Sequence, residues 1–287
     1  MSTEATQASG RPAASVPAPR RSKPRAGGGR RGWKTPVLGV VGILAFLALW
    51  ELAPASGIIQ AKYLPPASEV LAALANDFGL ALFWKAVADT MSAWAVGLAV
   101  AVVLATVLGL VIGMFPFLRR ATNSTIEFLR PIPSVALIPL AVLLFGIKIE
   151  STLMLVVYAS FWQVLIQVLY GVADVDTVAM NTAKSYGFSW WQRVRDVVFP
   201  TVLPYLMTGV RLAASVALIL AITAELVIGS PGLGREIALA QSGGAISGMY
   251  ALILATGLLG VLVNLAARWV ERRVLAWHPS IRGEVAA

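Results

Sequence analysis

The sequence predicts an all-α, polytopic membrane protein with six transmembrane helices, and three observations carry that expectation. The chain is 58% hydrophobic and its mean hydropathy is +0.78. Only 13% of its residues are charged, about half the share soluble domains carry, so a single water-facing core could not hide its apolar surface. The apolar residues also fall in runs near the ~20 residues a helix needs to cross hydrocarbon. Lipid offers no partner to a free backbone N–H or C=O, so such runs are read as helices.

Residues 1–35 are rich in Ala, Pro, Gly, Ser and Arg without apolar period, and are expected to be a disordered basic tail. The first span is PVLGVVGILAFLALWELA, residues 36–53. Ala53-Pro54-Ala55 imitates a signal-peptide cleavage site, but Pro54 within it and the long tail before it argue against cleavage. A core of residues 54–275 holds five further spans, at about 91–115, 134–147, 151–171, 203–228 and 249–270. The stretch 134–147 is short for a crossing and must tilt or begin earlier, near Pro131 and Pro133. Residues 276–287 form a short C-terminal tail.

Basic residues orient the spans. Of 23 Lys and Arg, 18 lie in the tails and connections of one side, four (Lys62, Lys85, Lys148, Arg235) on the other, and Arg211 within a span. By the positive-inside rule both termini are cytoplasmic, and so is the connection 172–200.

The net charge of +9 sits in the tail and short connections, which suits anionic lipid headgroups and argues against nucleic acid as a partner. The chain has no Cys, which removes disulfides, thiolate metal sites and cysteine nucleophiles. Its one His, His278, follows the last apolar run, leaving no basis for a metal or catalytic site. The phosphate-cradling pattern G-x-x-x-x-G-K-[ST] is absent, so this chain is expected to hold no ATP.

Residues 181–200, NTAKSYGFSWWQRVRDVVFP, are a polar module between two apolar runs. Asp176 can cap a helix over about 177–186. Gly187 falls where a helix ends in the left-handed conformation. Ser189-Trp190-Trp191-Gln192 fits a capping box that opens a second short helix, which Pro200 and Pro204 then end. Trp190 and Trp191 also suit an interfacial loop among headgroups.

This module resembles the EAA loop of ABC importer permeases: E-A-A, three residues, Gly, nine residues, then I-x-L-P. Asn181-Thr182-Ala183, Gly187 and Val197-Val198-Phe199-Pro200 keep that spacing, with Ala183, Gly187 and Pro200 identical. Asn181 and Thr182 depart from the family's Glu and Ala. The stretches LPPASEVLAAL (64–74), LRPIPSVALIPLAVLLFGI (129–147) and ELVIGSPGLG (225–234) are similar to permeases of the nitrate, sulfonate and taurine type.

The resemblance implies a type I importer (MetI-like) fold in a bacterial inner membrane. It implies a permease that works by alternating access as a homodimer, with an extracytoplasmic binding protein and cytoplasmic ATPase subunits that hold the ATP and Mg. Asn181, Thr182, Ala183, Gly187, Val197, Phe199 and Pro200 would engage those ATPases. The solute would be a small anion such as nitrate, a sulfonate or taurine, and catalysis would lie outside this chain. A secondary transporter and a non-transporting membrane scaffold are the alternatives; the first usually shows internal repeats and mid-membrane acids.

Polar residues within spans are candidates for the translocation path. Ser160, Gln163, Gln167 and Tyr170 recur at helical spacing on one face, where a hydrogen-bonded helix seam is the alternative. Thr208, Arg211 and Ser215 share a face in the next span. Arg211 is expected to snorkel to headgroups. Glu225, fourteen residues past Arg211, is the acidic candidate, as a gate or a structural pair.

Overall fold

The computed structural model describes residues 34–57 and 59–277. The expected tail 1–35 lies outside the described residues apart from its last two, and so does most of 276–287, including His278. Among the described residues there is no strand. The helices are α1 (Lys34–Ala55), α2 (Ala67–Asp77), α3 (Ala81–Met114), α4 (Pro116–Leu129), α5 (Ile138–Phe145) and α6 (Ile149–Ala173). They continue with α7 (Thr177–Ser185), α8 (Trp190–Arg193), α9 (Phe199–Ile228), α10 (Leu233–Ser242) and α11 (Ile246–Val274). Among the described residues, those up to Ala48 form one unit and those from Leu49 onward another. In the first, α1 starts two residues before the expected span.

In the second unit α6 is the central helix, flanked by α3 and α9. Small residues set these seams. A Cβ on Gly97 would meet Val156 Cγ1 at 2.6 Å, one on Gly109 would meet Val168 Cγ1 at 2.7 Å, and one on Gly113 would meet Val172 Cβ at 2.9 Å. In lipid there is no hydrophobic drive between helices, so this close backbone approach and its dispersion contacts hold α3 to α6. Against α9, Gly209 faces Val164 and Gln167, and Gly171 faces Val202 and Tyr205. Ala105, Leu165, Val168, Val202, Leu206 and Ala213 fill the core between the three helices.

These pairings fix direction. Contacts from α3 to α6 advance together along both chains, so the two helices run parallel. Contacts from α6 to α9 advance in opposite senses, so those two are antiparallel. A chain that leaves α3 and enters α6 in the same direction must return between them. The return is α4 followed by α5, with a bend of 83° at the break. Leu129 O accepts from Tyr158 Oη at 2.8 Å, and Ala141 O accepts from Ser151 Oγ at 3.1 Å. From Leu129 to Ala141 the contacts step back along α6 from Tyr158 to Ser151, so the chain as a whole returns against the direction of α6.

The expected crossing at 134–147 needs correction. Its helical part is a short 3-10 turn, Ser134–Leu137, plus α5, about 18 Å in all and too short to cross alone. α4 supplies the other half. Pro131 and Pro133 break the helix because neither can donate to the ladder, and the polar residues of α4 conceal its membrane role from a hydropathy reading. Five long apolar helices and this broken pair make up the six expected crossings.

A second correction concerns Pro200 and Pro204. They do not end a short helix. α8, a π turn at Val194–Val198 and α9 form one helical run from Trp190 to Ile228. Phe199 N–H donates back five residues to Val194 O, and this wider turn absorbs the missing N–H of Pro200, which lies in the first turn of α9.

Candidate functional site

The polar module folds as its residues dictate. Asp176 Oδ1 accepts from Val178 N at 2.7 Å and caps α7. At the other end Phe188 N donates to Ala183 O and Gly187 N to Lys184 O, both at 3.0 Å. That is a Schellman closure, which places Gly187 at φ 74°. The capping box then forms, with Gln192 N donating to Ser189 Oγ at 3.3 Å and Ser189 N donating to Gln192 Oε1 at 2.7 Å.

Ala183, Val194 and Val198 are buried. Asn181, Thr182, Gly187 and Phe199 are exposed, and Val197 and Pro200 are half-buried. Val178, Tyr186, Trp190 and Trp191 present large apolar surface. The module is a rigid two-helix corner with anchored roots and an apolar outer face.

The intramembrane candidates separate. Ser160 is fully buried, and among the described residues its Oγ has no hydrogen-bond partner. Gln167 packs against Gly209 in the α6–α9 seam. Gln163 is half-buried and shares a helical face with Ile166 and Tyr170. Tyr170 and Ile166 line a 530 Å³ cavity between α4 and α6, together with Arg119, Asn123, Glu127 and Arg130 of α4. Arg119 and Arg130 are among the basic residues expected in a cytoplasmic connection; with Asn123 and Glu127 their spacing of four, four and three residues is a helical stripe.

Glu225 lies in a knot at the Ile228 end of α9. Its side chain is fully buried. Oε2 accepts from Thr90 Oγ1 at 2.8 Å and from Gly234 N at 3.0 Å, while Thr90 Oγ1 accepts from Leu233 N at 2.9 Å. Gly232, at φ 149°, leaves the space the carboxylate fills, because a Cβ there would overlap Glu225 Cδ. A Cβ on Gly234 would strike Ile222 O. This carboxylate ties the 229–234 loop to α3. Arg211 does not simply snorkel, for its Nη1 pairs with Glu271 Oε2 of α11 at 3.2 Å. Among the described residues no group of His, Cys, Asp and Glu could hold a metal ion.

Residues 101–276 match the model of the family described as binding-protein-dependent transport system inner membrane component. The chain is 30% identical over 248 residues to the taurine transport system permease protein TauC of Escherichia coli (strain K12), covering 84% of this chain and 90% of that one. To the putative aliphatic sulfonates transport permease protein SsuC of Bacillus subtilis (strain 168) it is 28% identical, over 92% and 94% of the two chains. Among solved structures, an inward-facing MetNI methionine ABC transporter matches with a TM-score of 0.59 at 19% identity, over 67% of this chain and 96% of that one. That likeness is one of fold.

Proposed function

The chain belongs to the family of binding-protein-dependent transport system inner membrane components, and from that premise we propose how it works: as an importer permease for a small anion, driven through residues 177–200. The relatives named for taurine and for aliphatic sulfonates support a sulfonate or similar oxyanion as the solute. With Arg130 set aside because it lies within the broken crossing, the positive-inside asymmetry is 17 to four, and it supports cytoplasmic termini and a cytoplasmic face for α7 and α8. ATP is hydrolysed by a separate subunit, a binding protein delivers the solute outside, and a second copy of this chain completes the pathway. Gln163 and Tyr170 border that pathway.

One observation carries the coupling role: the rigid corner at Gly187, with Ala183 and Val198 buried at its roots and apolar side chains on its outer face. α8 continues through the π turn into α9, so a push on the corner is delivered to the helix packed along α6. Alternating access needs such a lever.

The test is Gly187→Val. A Cβ at 187 meets nothing within 4 Å, so the only penalty is the left-handed backbone, about 1–2 kcal/mol or more for a β-branched residue. The variant is expected to insert normally but to lose ATPase pull-down and solute uptake. Wild-type docking and uptake would return the module to a lipid-surface loop.

A further inference from the structure

The polar stripe of α4 lies where a membrane protein seldom places charge. Arg119, Asn123 and Glu127 are four residues apart, and Arg130 follows three turns after Arg119, so all four share one face. Their depth is read from α6. α4 begins just after Gly113, which packs on Val172, and ends at Leu129, which is bonded to Tyr158. Arg130 thus sits ~22 Å from the Ala173 end of α6 and ~14 Å from its Ile149 end.

All four side chains are exposed on the single chain. Asn123 Nδ2 donates to Glu127 Oε1 at 3.0 Å. Among the described residues Arg130 has no carboxylate within ion-pair distance.

A free guanidinium at this depth cannot face hydrocarbon at acceptable cost; such groups face a water-filled cavity or a partner. A second observation points the same way. Residues 130–133 are the non-helical joint of the broken crossing, with two prolines and an 83° bend, and non-regular backbone at membrane depth is tolerated only where it lines protein or water. The cavity between α4 and α6 opens on this joint, with Pro131 and Arg130 in its wall. Its charged lining is two guanidinium groups against one carboxylate, and that carboxylate already accepts from Asn123. A guanidinium offers a planar fork of donors that matches the oxygens of a carboxylate, sulfonate or nitrate.

We propose that Arg130 is the mid-depth holding site for one small oxyanion on its way through this permease, with Arg119 and Tyr170 marking the exit end of the same cavity. The assignment rests on the anion-importer reading and deepens it.

The chain has no cysteine, so single cysteines can be introduced cleanly. In the complete transporter, Ile126→Cys lines the cavity one turn before Arg130. It is expected to react about tenfold faster with a sulfonate-bearing methanethiosulfonate than with its trimethylammonium analogue, relative to the ratio of the two rates with free cysteine in solution. Adding Arg130→Gln should abolish that preference.

In proteoliposomes holding permease, ATPase and binding protein, uptake of labelled taurine, methanesulfonate, nitrate and bicarbonate is measured. Whichever anion the wild type carries, Arg130→Gln should cut its uptake about tenfold or more. Arg130→Lys should fall between, and subunit composition should stay unchanged. Wild-type uptake by Arg130→Gln overturns the site and leaves the importer reading intact. A cysteine at 126 silent to both reagents, or an Arg130→Gln complex that loses its second permease copy, overturns the site in favour of a subunit contact. Wild-type transporter that carries none of the four anions overturns the anion reading, and the site with it.

Discussion

Thr90→Val tests the knot around Glu225. The substitution keeps the branched shape and removes the hydroxyl, which donates to Glu225 Oε2 at 2.8 Å and accepts from Leu233 N at 2.9 Å. Thr90, Leu233 and Glu225 are each fully buried, so no water replaces what is lost. Stranding the Leu233 N–H costs about 1–3 kcal/mol, and losing a bond to a carboxylate about 1.5–3 kcal/mol. The two together come to about 2.5–6 kcal/mol of local stability.

That loss falls on the 229–234 loop and the first turn of α10 rather than on the α3–α6–α9 core. Hydrogen–deuterium exchange of the purified protein, read at Leu233 and Gly234, measures it. A loss of about 3 kcal/mol corresponds to exchange faster by about 150-fold through local opening. Thr90→Ser keeps both bonds and should exchange close to the wild-type rate. If both amides in Thr90→Val exchange at the wild-type rate, the knot does not hold the loop and the hydrogen-bond reasoning is refuted.

Two other outcomes are expected. Gly109→Leu places a side chain where even a Cβ lies 2.7 Å from Val168 Cγ1. Overpacking of about 1–3 kcal/mol should lower the thermal unfolding midpoint in detergent, with partial recovery on adding Val168→Ala; an unchanged midpoint would mean that the parallel seam is looser than drawn. Reporters fused after Arg120 and Arg195 should read cytoplasmic, and those near Lys62 and Arg235 should read external; a cytoplasmic signal at Arg235 would reverse the orientation.

What the sequence decided by itself is what neighbours along the chain decide. Gly187 had to take a left-handed turn because the helix before it ends there and no other residue does so without steric cost. The Asp176 cap and the Ser189–Gln192 box close over two or three residues, so composition and order suffice. The long spans were legible because hydropathy is a local sum and lipid penalises any other structure.

What the tertiary structure decided depends on pairs that no window contains. Glu225 reads as a lone acid in an apolar run until Thr90, 135 residues away, and Gly234 close on it. Arg211 reads as a snorkelling cation until Glu271, 60 residues on, reaches it. α4 reads as a cytoplasmic connection because its charges outweigh its apolar face. Only the parallel run of α3 and α6 requires the chain to recross there, and that recrossing carries Arg130 to mid-depth. Burial and direction follow from how helices pack, and packing belongs to the assembled fold rather than to any single stretch of it.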